Sequence, residues 1–301
     1  MKIPVQNHFK FIKVFSIVSF LGLNLSAQEK VSEAERWILV DLYEKTNGSD
    51  WVHKWDMEIP VSDWYGIKVV ESNVVEINLF RNNLVGQIPE SLGQLEYLSV
   101  LNLAFNKLSG PIPLGITNLA NLKTLKIEMN GLSGRIPRQI GKIENLVEFS
   151  AFNNFLSGSI PIGFGLIKNL KILNLSSNKL WEEIPNELGQ LSKLEVLGLF
   201  ENSLFGSVPR ELGNLNLLKE LVLSNNNLSG EIPVEFGQLA NLKVLQIQNN
   251  KFDSFEGINA MDRQQFLVFD YDRPDQKSKV PNVHEEKSRL ADTKFEDMDE
   301  E

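Results

Sequence analysis

Residues 98–113 read LSVLNLAFNKLSGPIP, and this sentence is written, with variations, eight times at one interval. The asparagine at its centre recurs every 24 residues, at Asn82, Asn106, Asn130, Asn154, Asn178, Asn202, Asn226 and Asn250, with no slip in register. The prolines keep the same beat at Pro89, Pro113, Pro137, Pro161, Pro185, Pro209 and Pro233. Self-similarity at such a period is the signature of a solenoid, because a unit this small cannot bury its own apolar face and must stack on its neighbours to do so.

Physical roles follow within each copy. Leu101 and Leu103 alternate inward from a short strand, and the equivalent pairs from Ile77–Leu79 to Leu245–Ile247 predict strands that stack side by side in a parallel sheet. Eight strands at about 4.8 Å give a sheet roughly 35–40 Å long. The asparagine follows the strand, where the chain turns, and its amide can pair with backbone groups the turn leaves unbonded inside. Repeated, that makes a polar ladder through an apolar core. Glycine and proline shape the far side, the first tolerating positive φ and the second lacking an amide to satisfy.

The pattern L-x-x-L-x-L-x-x-N-x-L identifies the chain as a member of the leucine-rich repeat proteins. Its continuation L-x-G-x-I-P resembles the plant-type subclass of receptor kinase ectodomains and polygalacturonase-inhibiting proteins. The resemblance implies an α/β repeat solenoid, a right-handed superhelix with a parallel concave sheet and a helical amino-terminal cap.

Taken in order, residues 1–27 read as a signal peptide, with lysines up to Lys13, an apolar run from Val14 to Leu25, then Ser26 and Ala27. The run is about 12 residues, short of the roughly 20 a membrane-spanning helix needs, so the mature protein is expected to be soluble outside the cytoplasm: secreted, periplasmic or on the cell surface. Residues 28–73 form a cap: Ser32-Glu33-Ala34-Glu35 fits a capping box, Ala34, Ile38 and Leu42 share a helix face with Trp37 beside them, and Asn47-Gly48 ends the helix. Trp51, Trp55 and Asp63-Trp64-Tyr65-Gly66-Ile67 complete it and resemble the plant-type cap without its cysteines, which suits a bacterial secreted relative. Residues 74–252 are the repeats. Residues 253–281 close the far end, with a last strand within Phe266–Tyr271, and 282–301, with eight acids against three bases, read as a disordered acidic tail.

The composition excludes much. With no cysteine there is no disulfide, zinc–thiolate site or thiol nucleophile. The net charge of −9 becomes −12 without Lys2, Lys10 and Lys13, which argues against nucleic acid or an anionic membrane as partner. The three histidines, His8, His53 and His284, all lie outside the repeats, so no Ser-His-Asp or metal–histidine site can be built on the sheet. Asp270-x-Asp272-x-x-Asp275 lacks the glycine and distal glutamate of a calcium loop. No catalytic residue, metal or cofactor is expected.

Function is sought where the copies differ. The sheet positions between and just after the inward leucines carry Phe80, Arg81, Phe105, Lys126, Glu128, Met129, Glu148, Phe152, Phe200 and Glu201, more aromatic than a solvated face needs. These are the candidate ligand-binding residues for a protein, peptide or glycan; the competing reading has some of the rings folded against neighbouring repeats. A second irregularity is lateral: Ser109, Ser133, Ser157 and Ser229 give way to Trp181 and Phe205, and Glu182 replaces glycine beside Trp181. Packing repair and a contact patch are both open there. The expectation is a monomeric, non-enzymatic recognition module, with an inhibitor of secreted glycoside hydrolases or an adhesive surface protein as alternatives.

Overall fold

The computed structural model describes residues 30–272. The stretch read as a signal peptide, the acidic tail and the last part of the expected closing segment lie outside the described residues.

The chain coils between two sheets. One has ten strands: an antiparallel hairpin of Ile67–Val70 with Asn73–Asn78, then Val100–Asn102, Thr124–Lys126, Glu148–Ser150, Ile172–Asn174, Val196–Gly198, Glu220–Val222, Val244–Gln246 and Val268–Asp270, all parallel and in register. The repeats thus contribute the eight expected strands. The cap adds one at its end and the closing segment adds one at the other.

The second sheet was not anticipated. It has eight strands, from Val85–Gln87 to Lys251–Ser254, built from the N-x-L-x-G part of each copy and forming a lateral wall. Between the two sheets on the far side each Ile-Pro or Val-Pro leads into one 3₁₀ turn, such as Leu114–Asn118 after Pro113. These turns stack so closely that a Cβ on Gly93 would run into the Gly115 backbone.

The inward leucines are sealed; Leu101, Leu103, Leu197 and Leu199 have no exposed surface. Each contributes about 2 kcal/mol in burial. The fourth copy swaps sizes, with Phe149 and Ala151 in the two inward places, and Phe149 meets Phe164 edge-on at 5.2 Å.

The asparagines bond as a continuous ladder. Asn106 donates from Nδ2 to Leu79 O at 2.8 Å in the preceding copy and to Leu103 O at 2.9 Å in its own. Its Oδ1 accepts from Asn82 N at 3.0 Å and Leu84 N at 2.9 Å. Asn130, Asn154, Asn178, Asn202, Asn226 and Asn250 repeat the backward donation, for example Asn250 Nδ2 to Leu223 O at 3.0 Å. Asn82 has no preceding copy, and the cap replaces it: its Oδ1 accepts from His53 N at 2.7 Å. At the other end, Asp272 accepts from Asn249 N and Asn250 N at 3.1 and 3.3 Å.

The cap helix α1 (Glu33–Lys45) starts as expected, with Ser32 Oγ accepting from Glu35 N at 3.1 Å. Two details differ. The Glu35 carboxylate reaches Val74 N instead of closing a capping box, because Glu35 is on the buried face that meets the first repeat. That face is Glu35, Ile38, Leu39 and Leu42, while Ala34 and Trp37 turn to solvent. Behind it Tyr43, Trp51, Trp55 and Trp64 pack ring on ring at 4.8–5.9 Å and cover the open end of the first repeat.

Candidate functional site: the concave sheet

The exposed face of the ten-stranded sheet carries the residues that vary between copies. The position after the second inward leucine forms one column: Phe80, Ala104, Glu128, Phe152, Ser176, Phe200, Ser224 and Gln248. The next position, Arg81, Phe105, Met129, Asn153, Ser177, Glu201, Asn225 and Asn249, forms a second. All eight of its residues have positive φ, between 48° and 58°, because the chain swings through a left-handed residue to aim the following asparagine inward.

The expected aromatic face is present but sits lower than expected. Phe80, Phe105, Phe152, Phe200 and Met129 are half-buried rather than exposed, and Glu128 is buried. Copies one strand spacing apart crowd the side chains of this face; Phe80 and Phe105, in adjacent copies, meet at 5.1 Å with their rings tilted. Met129 Sδ accepts from Asn153 Nδ2 at 2.7 Å. Arg81 and Glu201 remain exposed, with Glu201 Oε2 accepting from Ser177 Oγ at 2.8 Å.

Charge on the sheet is largely paired. Lys126 Nζ stands 3.4 Å from Glu148 Oε1. Glu195 lies between Lys219 at 2.6 Å and Lys171 at 3.2 Å, and those two lysines hold its carboxyl below the usual range. Glu128 differs. Burial pushes its carboxyl above the usual range, against the pull of its own amide, the Ser150 hydroxyl and Lys126, and Glu148 nearby pushes the same way as burial. Its Oε2 is buried without a hydrogen-bond partner.

Sequence reasoning passed over three groups of the same column and one lateral ring. Ser176 Oγ, Ser224 Oγ and Gln248 Oε1 are also buried without partners, so with Glu128 the third, fifth, seventh and eighth copies carry such an atom. Reading the column vertically would have found it. Ser176 also borders the small gap at Gly198, where an added Cβ would meet Asn174 Oδ1 and Ser176 Oγ. On the lateral wall Trp181 and Phe205 are exposed on adjacent paired strands, and Phe155 joins them with Lys179 Nζ 4.8 Å above its ring. Glu182 holds φ at 82° where glycine stands in the neighbouring copies.

Among the described residues no cluster of three or more histidine, aspartate or glutamate side chains could hold a metal, and no helix is long and apolar enough to cross a membrane.

Leucine-rich-repeat family models match residues 73–95, 97–119 and 169–191 as "Leucine Rich Repeat" and 217–260 as "Leucine Rich repeats (2 copies)". The chain is a plant-type leucine-rich repeat protein. Solved structures agree. It is 32% identical to the ectodomain of the Arabidopsis thaliana receptor kinase GASSHO1/SCHENGEN3, solved in complex with CASPARIAN STRIP INTEGRITY FACTOR 2, over 77% of this chain and 29% of that one, with TM-score 0.73. To the PEPR1–AtPEP1 structure it is 29% identical over 78% and 34% of the two chains, TM-score 0.70. The Arabidopsis receptor kinase HAESA, solved with the peptide hormone IDA and the co-receptor SERK1, is 42% identical over 58% of this chain and 29% of that one, TM-score 0.57. This leucine-rich repeat protein therefore spans about a third of the length of the receptors it matches. No curated protein sequence matches it.

Proposed function

We propose that this leucine-rich repeat protein is a secreted or cell-surface recognition module, not an enzyme, that holds a protein, peptide or glycan ligand on its concave sheet. The observation that carries this is the pair of variable columns, where four phenylalanines and Met129 share a face with the buried, incompletely bonded Glu128. Apolar rings beside an underbonded polar group are the composition of an interface core, not of a solvated surface. Similarity to a receptor kinase solved with a peptide hormone supports the peptide among the three.

The double variant Phe105→Ala/Phe152→Ala tests it. Capture of ligand from the native extracellular medium is expected to be lost, while the half-buried positions limit the stability cost to about 1–2 kcal/mol. Unchanged capture would remove the concave sheet from consideration.

A second reading rests on the lateral patch of Phe155, Trp181 and Phe205, three exposed rings on three consecutive strands of the wall. There the protein would adhere to itself or to a surface. Sedimentation at high concentration as a monomer would count against it.

A further inference from the structure

Between Glu128 and Ser224 the first column alternates strictly, with underbonded polar groups at Glu128, Ser176 and Ser224 and rings at Phe152 and Phe200. The three polar residues are more than nine-tenths buried, at 8%, 7% and 1% exposed, and each has a side-chain oxygen without a partner. Like groups are therefore two copies apart, about 9.6 Å at a strand spacing of about 4.8 Å. A ligand lying along the column meets a polar group at that interval, a carboxyl at Glu128 and hydroxyls at Ser176 and Ser224.

Only one common backbone form returns the same face at that distance. A polyproline II helix does so every three residues, about 9.3 Å at a rise of about 3.1 Å. A β-strand returns every two residues, about 6.8 Å, and falls out of step within one period. An α-helix has a pitch of about 5.4 Å, so two turns overshoot by about 1.2 Å each time.

The chemistry agrees with the spacing. A polyproline II segment has no internal hydrogen bonds and presents bare carbonyls, which the Ser176 and Ser224 hydroxyls can donate to. Its apolar faces pack on aromatic rings, the role open to Phe152 and Phe200. Proline carries no N–H for Glu128, so a basic side chain must supply that partner, and the acidic chain favours such a ligand. The rings of Phe152 and Phe200 must swing aside by side-chain rotation to admit it, since the polar atoms have almost no open surface.

Resting on the concave-sheet reading, we propose that the ligand is a polyproline II peptide with an apolar residue, proline above all, at every third position and a basic residue set against Glu128.

The test uses the full mature chain and immobilised synthetic 12-residue peptide libraries, one with proline fixed at every third position, one at every second, each with either arginine or glutamine at the flanking position. Selective retention of the third-position, arginine-bearing set is expected. Phe152→Ala and Phe200→Ala should each weaken it about tenfold or more, as truncation of an aromatic anchor does, and Glu128→Gln should erase the preference for arginine. Trp181→Ala should leave binding unchanged, and thermal denaturation of each variant separates lost contact from lost fold. Retention of aperiodic or second-position peptides that is lost in Phe152→Ala overturns the polyproline register while the concave site stands. Retention indifferent to Phe105→Ala, Phe152→Ala and Phe200→Ala overturns both. If no peptide is retained the proposal is overturned, and a glycan array then decides the concave site.

Discussion

Two columns of polar side chains run along the same sheet two residues apart, and they obey opposite rules. The asparagine ladder is identical in eight copies, and each amide is bonded on both sides. The neighbouring column changes at almost every copy, and its polar atoms at Glu128, Ser176, Ser224 and Gln248 are left without partners. Both columns carry buried polar groups in an apolar setting, so their cost before bonding is alike. The difference is that the ladder recovers this cost within the fold, whereas the second column does not. Identity marks what the scaffold needs, and an uncompensated group marks where something outside the chain can add energy.

Breaking the ladder should have the largest effect. Asn106→Ala deletes an acceptor for Asn82 N and Leu84 N and a donor to Leu79 O, leaving buried backbone groups unpaired at about 1–3 kcal/mol each. A loss of at least about 3 kcal/mol in chemical denaturation is expected; a loss below 1 kcal/mol would show that the ladder is not what joins the copies.

Glu128 sharpens the contrast through pH. Its carboxyl titrates above the ordinary range in the folded chain, so the folded state binds the proton more tightly than the unfolded one. Its contribution to stability is then fullest in acid, below the unfolded value, and is lost as pH rises through the folded value. Glu128→Gln should therefore be more stable than the parent at pH 7, with the gap closing in acid; a gap that widens in acid contradicts the burial argument. Glu195 has the opposite sign, its stabilisation present at neutral pH and lost in acid as Lys219 and Lys171 lose their partner.

Glu182→Gly tests the lateral break. A non-glycine residue at φ 82° is strained by about 1 kcal/mol, and glycine should raise the unfolding free energy by about that much, read as a higher melting temperature. No gain would mean that the Glu182 side chain compensates the backbone. The smallest effect belongs to Ser224→Ala. Removing a buried hydroxyl that has no partner should change stability by less than about 0.5 kcal/mol or raise it slightly, against the large loss at Asn106.

The sequence carried the fold because the fold is periodic. Every strand of the concave sheet between Asn73 and Gln246 follows from the Leu-x-Leu spacing, and every rung from the asparagines. The ends were less legible, since Glu35 and His53 act on residues 39 and 29 positions away and no local pattern announces such a partner. The lateral sheet was missed because a strand containing glycine and serine has little strand character; it forms because the ladder asparagines hold Leu84, Leu108 and their equivalents in place. At the candidate site the sequence left the burial of each ring open between a contact face and packing on the neighbouring repeats. Phe80, Phe105, Phe152 and Phe200 were read one copy at a time, and half-burial is a property of columns.

The ladder is started by the backbone of His53 and finished by the side chain of Asp272, neither of which belongs to a repeat. The interior is thus written in interchangeable 24-residue words between two fixed punctuation marks. One whole word could be inserted or deleted between Asn106 and Asn226 without rewriting either mark, so the reach of this surface is a length that evolution can edit one strand spacing at a time.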